Sequence, residues 1–309
     1  MKNFIYKIKN KIFRFSKEAK KIKRPSYDEL LNYKSYVKKE NNKFILSFGS
    51  GRCGQNWFAK IFNSHSNWIG TCERFSDFES LYRYISFYKL PIDKEDFFQL
   101  IQLACNRDLA KYQNTLIASP YFAYGVEELS KRLNPNYLIF NIRDPLRSVE
   151  SFLSKGWYLN FERKKNYNLK SPFLNISNNL TRSFSRVVPT EEFFNEWLSL
   201  TRVGKIAWFW ATTNKLILEG INKIEDIDKL FLKLEDIDQN YDFYQKISNK
   251  FNFENKMSKK KFYNVINKAP NKSLIDKYEY SDWTDIEKRE YHSMIDKIFP
   301  YYDDINTNI

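Results

Sequence analysis

Residues 44–57, FILSFGSGRCGQNW, constrain the fold more than any other stretch of the chain. An apolar run, Phe44–Phe48, ends in a turn punctuated by Gly49, Gly51 and Gly54, and a helical pattern starts at Asn56. Strand, glycine-rich loop and helix in that order turn backbone N–H groups and a helix N-terminus toward one point, which is a nest for an anion. The spacing Gly49-x4-Gly54 is that of a phosphate-binding loop. The next two residues depart from it. An ATP-binding loop has Lys and then Ser/Thr there, to reach the terminal phosphates and hold Mg²⁺, whereas this chain has Gln55 and Asn56. Magnesium-dependent phosphoryl transfer is therefore disfavoured. The cation lies inside the loop as Arg52, and a guanidinium clamps a tetrahedral anion without a metal. The loop thus predicts a nucleotide whose reacting group is not a metal-bridged triphosphate.

Beyond Lys43, short apolar runs alternate with helical stretches, which predicts an α/β fold in three layers, a mostly parallel central sheet flanked by helices. The expected strands are Phe44–Phe48, Thr115–Ala118, Tyr137–Ile142 and Leu230–Leu234. The expected long helices are Asn56–Ser64, Tyr124–Leu133, Pro145–Gly156, Glu191–Glu219, Tyr241–Phe251 and Asp285–Ile298. A chain of 309 residues, 42% hydrophobic, is long enough for one substantial core. Residues 1–42 therefore read as a basic N-terminal arm or helix and 43–309 as a single domain. The polar stretch 157–189 reads as a substrate loop or lid.

Residues 1–24 are basic, with Ile5, Ile8, Ile12 and Phe15 at helical spacing among Lys7, Lys11 and Arg14. Two readings stay open, a helix or loose arm against the protein body and a membrane-surface helix. No apolar stretch here is long enough for a signal peptide or a membrane span, so the expected location is cytoplasmic, with peripheral contact at the inner face of the membrane as the second option. The net charge of +14, from 51 Lys+Arg against 37 Asp+Glu, favours anionic partners without choosing among cofactor, acidic glycan, nucleic acid and membrane. Cys53, Cys72 and Cys105 show no CxxC spacing, and with His65 and His292 as the only histidines there is no metal constellation. A reducing compartment and no metal are expected.

The second informative stretch is Tyr137–Trp157, YLIFNIRDPLRSVESFLSKGW. An apolar strand ends at Arg143, Asp144 is placed as an N-cap and Pro145 as the first helical residue. Ser151 falls about two turns into that helix, on the face that includes Asp144, Arg147 and Ser148. In an open α/β sheet, ligands bind outside the carboxyl ends of the strands, so Arg143, Ser151 and the Gly49–Trp57 loop are expected to flank one crevice with two anion sites.

Together the two stretches resemble the sulfotransferases that use 3′-phosphoadenosine 5′-phosphosulfate (PAPS), closest in pattern to carbohydrate and tyrosine sulfotransferases. That family has a strand followed by G-x-x-[RK]-[ST]-G-[TS]-T-[WL], then R-D-P…S at this spacing. Phe62-Asn63-Ser64-His65, Ile206–Ile217, Leu234-Glu235-Asp236-Ile237 and Phe299–Tyr302 are similar to further segments of it, so the resemblance spans roughly residues 43–302. It implies that Ser50, Gly51, Arg52, Cys53, Gly54, Gln55 and Asn56 hold the 5′-phosphosulfate, that Arg143 and Ser151 hold the 3′-phosphate, and that adenosine 3′,5′-bisphosphate is the product. Trp57 matches an aromatic that stacks on adenine in one branch, and core packing is an equal reading. Two departures stand out: the family's Thr/Ser pair is Gln55-Asn56, and a Lys carried by many members after the second strand is Ala118. Lys256, Lys259, Lys260, Lys261 and Lys268 are candidates to close over the cofactor, against the reading of a solvated charge run.

Sulfuryl transfer needs an acceptor hydroxyl in line with sulfur, a base for its proton, and positive charge at the leaving phosphate. Arg52 meets the last demand. Glu73 in TCERF is the favoured base by resemblance and His65 the rival, with a cap or packing role as the alternative for His65. Asp77 and Glu79 rank lower, as members of a solvated face, and Arg74 is a candidate to orient the acceptor or support the base. A glycan hydroxyl is the expected acceptor, ahead of a peptide tyrosine, lipid or small alcohol, with Trp157, Tyr158 and Trp197 as candidate sugar contacts. No nucleic-acid partner is expected. The competing functions are a nucleoside kinase, an RNA- or glycan-binding module, and a catalytically degenerate sulfotransferase-like nucleotide- or glycan-binding protein.

Overall fold

The computed structural model describes residues 25–159, 184–238, 240–266 and 278–309, so the expectations for residues 1–24, for most of the 157–189 loop and for Lys268 lie outside the described residues. In chain order the elements are α1 (Tyr27–Leu31), β1 (Phe44–Phe48), α2 (Gln55–Phe62), β2 (Trp68–Cys72), α3 (Ser76–Phe87), α4 (Glu95–Tyr112) and β3 (Asn114–Ala118). A 3-10 turn (Pro120–Tyr124), α5 (Val126–Leu133), β4 (Tyr137–Ile142) and α6 (Pro145–Leu153) follow. Then come α7 (Glu191–Ser199), α8 (Arg202–Asn222), β5 (Asp228–Lys233), α9 (Leu234–Ile237), α10 (Tyr241–Lys250), α11 (Lys259–Ile266) and α12 (Asp285–Ile298).

The five strands form one parallel sheet in the order β2-β3-β1-β4-β5. A parallel sheet needs helices on both faces, and period-two alternation feeds the two cores separately. From β1, Phe44, Leu46 and Phe48 enter one core with Phe98 and Leu103 of α4, Val149 of α6 and Trp210 of α8. Ile45 enters the other, with Phe58 and Phe62 of α2, Ile247 of α10 and Phe262 of α11. The three layers are those the alternating pattern predicts, with a sheet that is parallel throughout where a mostly parallel one is expected.

The elements differ from expectation in several places: β2 is an additional strand, α3 and α4 are additional helices, and the helix expected over Glu191–Glu219 is two helices, α7 and α8. Leu200 and Thr201 are extended, and the Thr201 side chain caps α8 by accepting from the Gly204 N–H. No described helix is long and apolar enough to cross a membrane.

Candidate functional site

Because all five strands run the same way, the turns after β1, β2, β3 and β4 and the start of α9 open on one edge of the sheet. The loop after β1 folds back sharply there, with Gly51 at φ +94°, Arg52 at φ +59° and Gly54 at φ +84°. A left-handed conformation costs a non-glycine residue about 1–2 kcal/mol, and Arg52 adopts it here. Gly54 is the N-cap of α2, and a Cβ there would lie 2.6 Å from Leu234 Cδ1, so α9 walls one side of the loop.

Both sequence-predicted anion motifs meet in this loop. Arg52 Nε donates to Ser151 Oγ at 2.8 Å, and Arg143 Nη1 donates to the Arg52 carbonyl at 3.4 Å. The side chains assigned to opposite ends of one nucleotide thus stand next to each other. Burial, and then the Arg143 charge, hold the Arg52 guanidinium below its ordinary pKa, while Glu73 acts the other way. Arg143 Nε is buried without a hydrogen-bond partner among the described residues and lies 3.9 Å from Glu235. An orphaned guanidinium N–H beside a second arginine fits an oxyanion such as phosphate. Ser50 is buried under the loop, where Asn214 of α8 donates to its hydroxyl at 3.4 Å.

Glu73 also stands in the left-handed region, at φ +53°, directly after β2. Its N–H donates to the Ala118 carbonyl at 3.1 Å, which locks the turn to the end of β3. Residues held in this way cluster at sites where surrounding structure over-determines them. The Glu73 charge acts on Arg52, Cys72, Glu79 and Tyr121, which puts all five groups in one neighbourhood.

Several sequence expectations need correction. Gln55 is buried, and its amide donates to the Ser47 carbonyl at 3.1 Å, beneath β1 rather than toward a ligand. The Cys53 thiol is also buried, and burial pushes it up to about 11 against the opposing influence of the loop backbone. What these two residues offer a ligand is main chain, while Asn56 is exposed at the start of α2. Trp57 belongs to the α2-side core and packs near Phe58, so core packing accounts for it.

His65 lies just before β2, at the opposite edge of the sheet from the loop. It stacks on Phe253 at 4.1 Å, its Nδ1 pairs with the Glu254 carbonyl at 2.8 Å, and burial lowers its pKa. It is a packing residue. Arg74 faces the interior, paired with Asp108 of α4, and so anchors the turn that carries Glu73 rather than reaching an acceptor. Glu79 is fully buried instead of solvated. Tyr158 and Trp197 are core residues, while Trp157 is half-buried under the Arg186 guanidinium. Lys259, Lys260 and Lys261 are exposed on α11, and Lys256 binds Asn249.

Sequence reasoning missed two charged groups at the site. Lys155 is held below the usual lysine pKa by burial and by Arg52, which places a third cation there; its i+4 spacing from Ser151 was the available signal. Glu235 accepts from the Asp144 N–H at 3.2 Å and from Tyr302 Oη at 3.0 Å, fixing the carboxylate that faces Arg143. Nothing in its local sequence announces that role. Among the described residues no group of three or more His, Cys, Asp or Glu is placed to hold a metal ion.

No protein-family model matches this chain, and no curated protein matches it in sequence. Among solved structures it is similar to a sulfotransferase domain from the curacin biosynthetic pathway, at 14% identity and a TM-score of 0.44, over 83% of this chain and 97% of that domain.

Proposed function

We propose that the chain transfers a sulfuryl group from PAPS to an acceptor hydroxyl. The observation that carries this reading is the meeting of Arg52, Arg143 and Ser151 at the ends of adjacent strands, beside Glu73. Arg143 and Ser151 would hold the 3′-phosphate, and Arg52 with the main chain of Gly51–Asn56 the 5′-phosphosulfate. PAPS supplies the activated group: the acceptor oxygen bonds to sulfur as the sulfur–oxygen bond to the 5′-phosphate breaks, and adenosine 3′,5′-bisphosphate leaves with the electron pair. Glu73 would take the acceptor proton, and Arg52 would face the negative charge that builds on the phosphate. We place the acceptor hydroxyl on a glycan, in keeping with the basic charge and with Trp157 as an aromatic surface. A cytoplasmic location, with peripheral membrane contact through residues 1–24, belongs to the same proposal.

One observation favours a second reading, a nucleotide- or glycan-binding protein of this type without catalysis. The Gln55 amide is turned inward onto the Ser47 carbonyl and the Cys53 side chain is buried, so neither side chain is offered to a ligand. Transfer of labelled sulfuryl from PAPS across a panel of glycan, tyrosine and alcohol acceptors separates the two. Turnover that Glu73→Gln lowers by about 10²–10⁴-fold supports transfer. Nucleotide binding without turnover on any acceptor supports the binding protein.

A further inference from the structure

The proposed chemistry uses one carboxylate at the open end of β2, yet the structure puts two there. Glu79, in the first turn of α3, is fully buried, and among the described residues no cation pairs with it. Its Oε1 accepts from the Phe75 N–H at 2.9 Å and its Oε2 from the Ser119 hydroxyl at 2.6 Å. Ser119 Oγ in turn accepts from the Tyr121 N–H at 3.2 Å, which directs the serine proton onto the carboxylate. One side chain thus joins the turn after β2, which carries Glu73, to the turn after β3, which walls the same edge. An isolated polar bond would not justify burying a carboxylate among neutral donors, because desolvation penalises the charge heavily.

The groups that act on Glu79 come from every neighbouring element. Glu73 and Arg74 belong to its own turn, and Arg74 is engaged by Asp108 of α4. Cys72 of β2 and Tyr121 of the 3-10 turn sense its charge, and Arg52 of the loop acts on Glu73. Burial, opposed by the Ser119 and Phe75 hydrogen bonds and reinforced by Glu73, raises the Glu79 carboxyl to about 7. Two carboxylates in this relation do not ionise independently.

We propose that Glu79 is a positioning residue for the transfer reaction: it clamps the β2 and β3 turns together and places a second carboxylate behind Glu73. This rests on Glu73 being the base. Its expected signature is a pH dependence that belongs to the pair, with Glu79 taking the first proton as the pH falls through neutrality.

Carbon-13 NMR of glutamate-labelled full-length protein tests the coupling without relying on turnover. The wild type should show one carboxyl titrating near 7. Glu73→Gln should lower that midpoint by about one pH unit, and Ser119→Ala should raise it. In the transfer assay, Glu79→Gln should remove the inflection near pH 7 from the pH–kcat profile and leave the more acidic limb, set by Glu73, in place while KM for PAPS stays constant. The inference is overturned if Glu73→Gln leaves the midpoint in place, or if Glu79→Gln lowers only thermal stability and leaves the profile unmoved. A coupled pair in a protein that turns over no acceptor would count against sulfuryl transfer, not against the carboxylate pair.

Discussion

Asp108→Ala should be one of the most damaging single substitutions outside the hydrophobic core. Asp108 is fully buried in α4, its Oδ2 faces Arg74 and accepts from Thr115 at 3.3 Å, and its Oδ1 lies 3.1 Å from Arg107. Arg107 keeps a second carboxylate, Glu29, at 2.8 Å. The Arg74 side chain is only 4% exposed, and its Nε and Nη1 already have no hydrogen-bond partner. Removing Asp108 therefore leaves a buried guanidinium uncompensated, a loss of about 3–5 kcal/mol. For a domain of this size that lowers Tm by about 5–9 °C in a thermal melt followed by circular dichroism. Replacing the pair by apolar residues, Arg74→Met with Asp108→Leu, should cost less than Asp108→Ala alone, because no charge is left behind. A drop below about 2 °C for Asp108→Ala, or a double variant less stable than the single, would refute the argument. Arg74 follows Glu73 directly, so transfer activity should fall below the melt as well.

Stability should also vary with pH through Glu79. Its folded-state pKa, about 7, is raised above the ordinary value of 4.5, so the contribution is fully present below pH 4.5 and is lost as pH rises through 7. Urea unfolding should find Glu79→Gln close to wild type at pH 5 and more stable at pH 8, by up to about 3 kcal/mol; equal differences at both pH values would contradict this. His65→Gln should lower stability by about 1–2 kcal/mol through the lost Phe253 stacking, yet leave kcat unchanged, and a large kcat loss in a folded variant would return His65 to the chemistry. Gly54→Ala meets Leu234 at 2.6 Å in a left-handed position, so it should destabilise the fold by about 1–3 kcal/mol and weaken nucleotide binding, whereas Gly51→Ala, whose Cβ finds contacts of 3.5 Å or more, should cost less.

The parts of the fold legible in the sequence are those where a local pattern has one physical cause. Phe44–Phe48 and Tyr137–Ile142 are runs buried on both faces, and their boundaries match the strands found. Asp144-Pro145 stops one element and starts the next, with the Asp144 side chain accepting from the Arg147 N–H as an N-cap. β2, Trp68–Cys72, escaped because Gly70 interrupts its apolar run, a position that a Cβ could not occupy, being 2.3 Å from the Ala59 carbonyl. That close approach of α2 is a tertiary fact. α3 and α4 escaped because buried Glu79, Arg83, Arg107 and Asp108 interrupt their apolar faces. At the site, that Arg52, Arg143 and Ser151 flank one crevice was readable from order and spacing, while the direct bond from Arg52 to Ser151 was not. The directions of the Gln55 and Cys53 side chains were not, since the left-handed turn at Gly51 and Arg52 sets them. The pairing of Glu235 with Arg143 arises only when β5 lies beside β4.

The central claim is that Arg52 and Arg143 make one cradle for a doubly anionic adenosine nucleotide, and isothermal titration with adenosine 3′,5′-bisphosphate tests it most directly. The account predicts a single site whose affinity falls about 10–100-fold in Arg143→Ala and again in Arg52→Ala, each the loss of one charge-assisted contact, with neither variant less well folded. No binding to the wild-type protein, or binding that both variants retain, would contradict it.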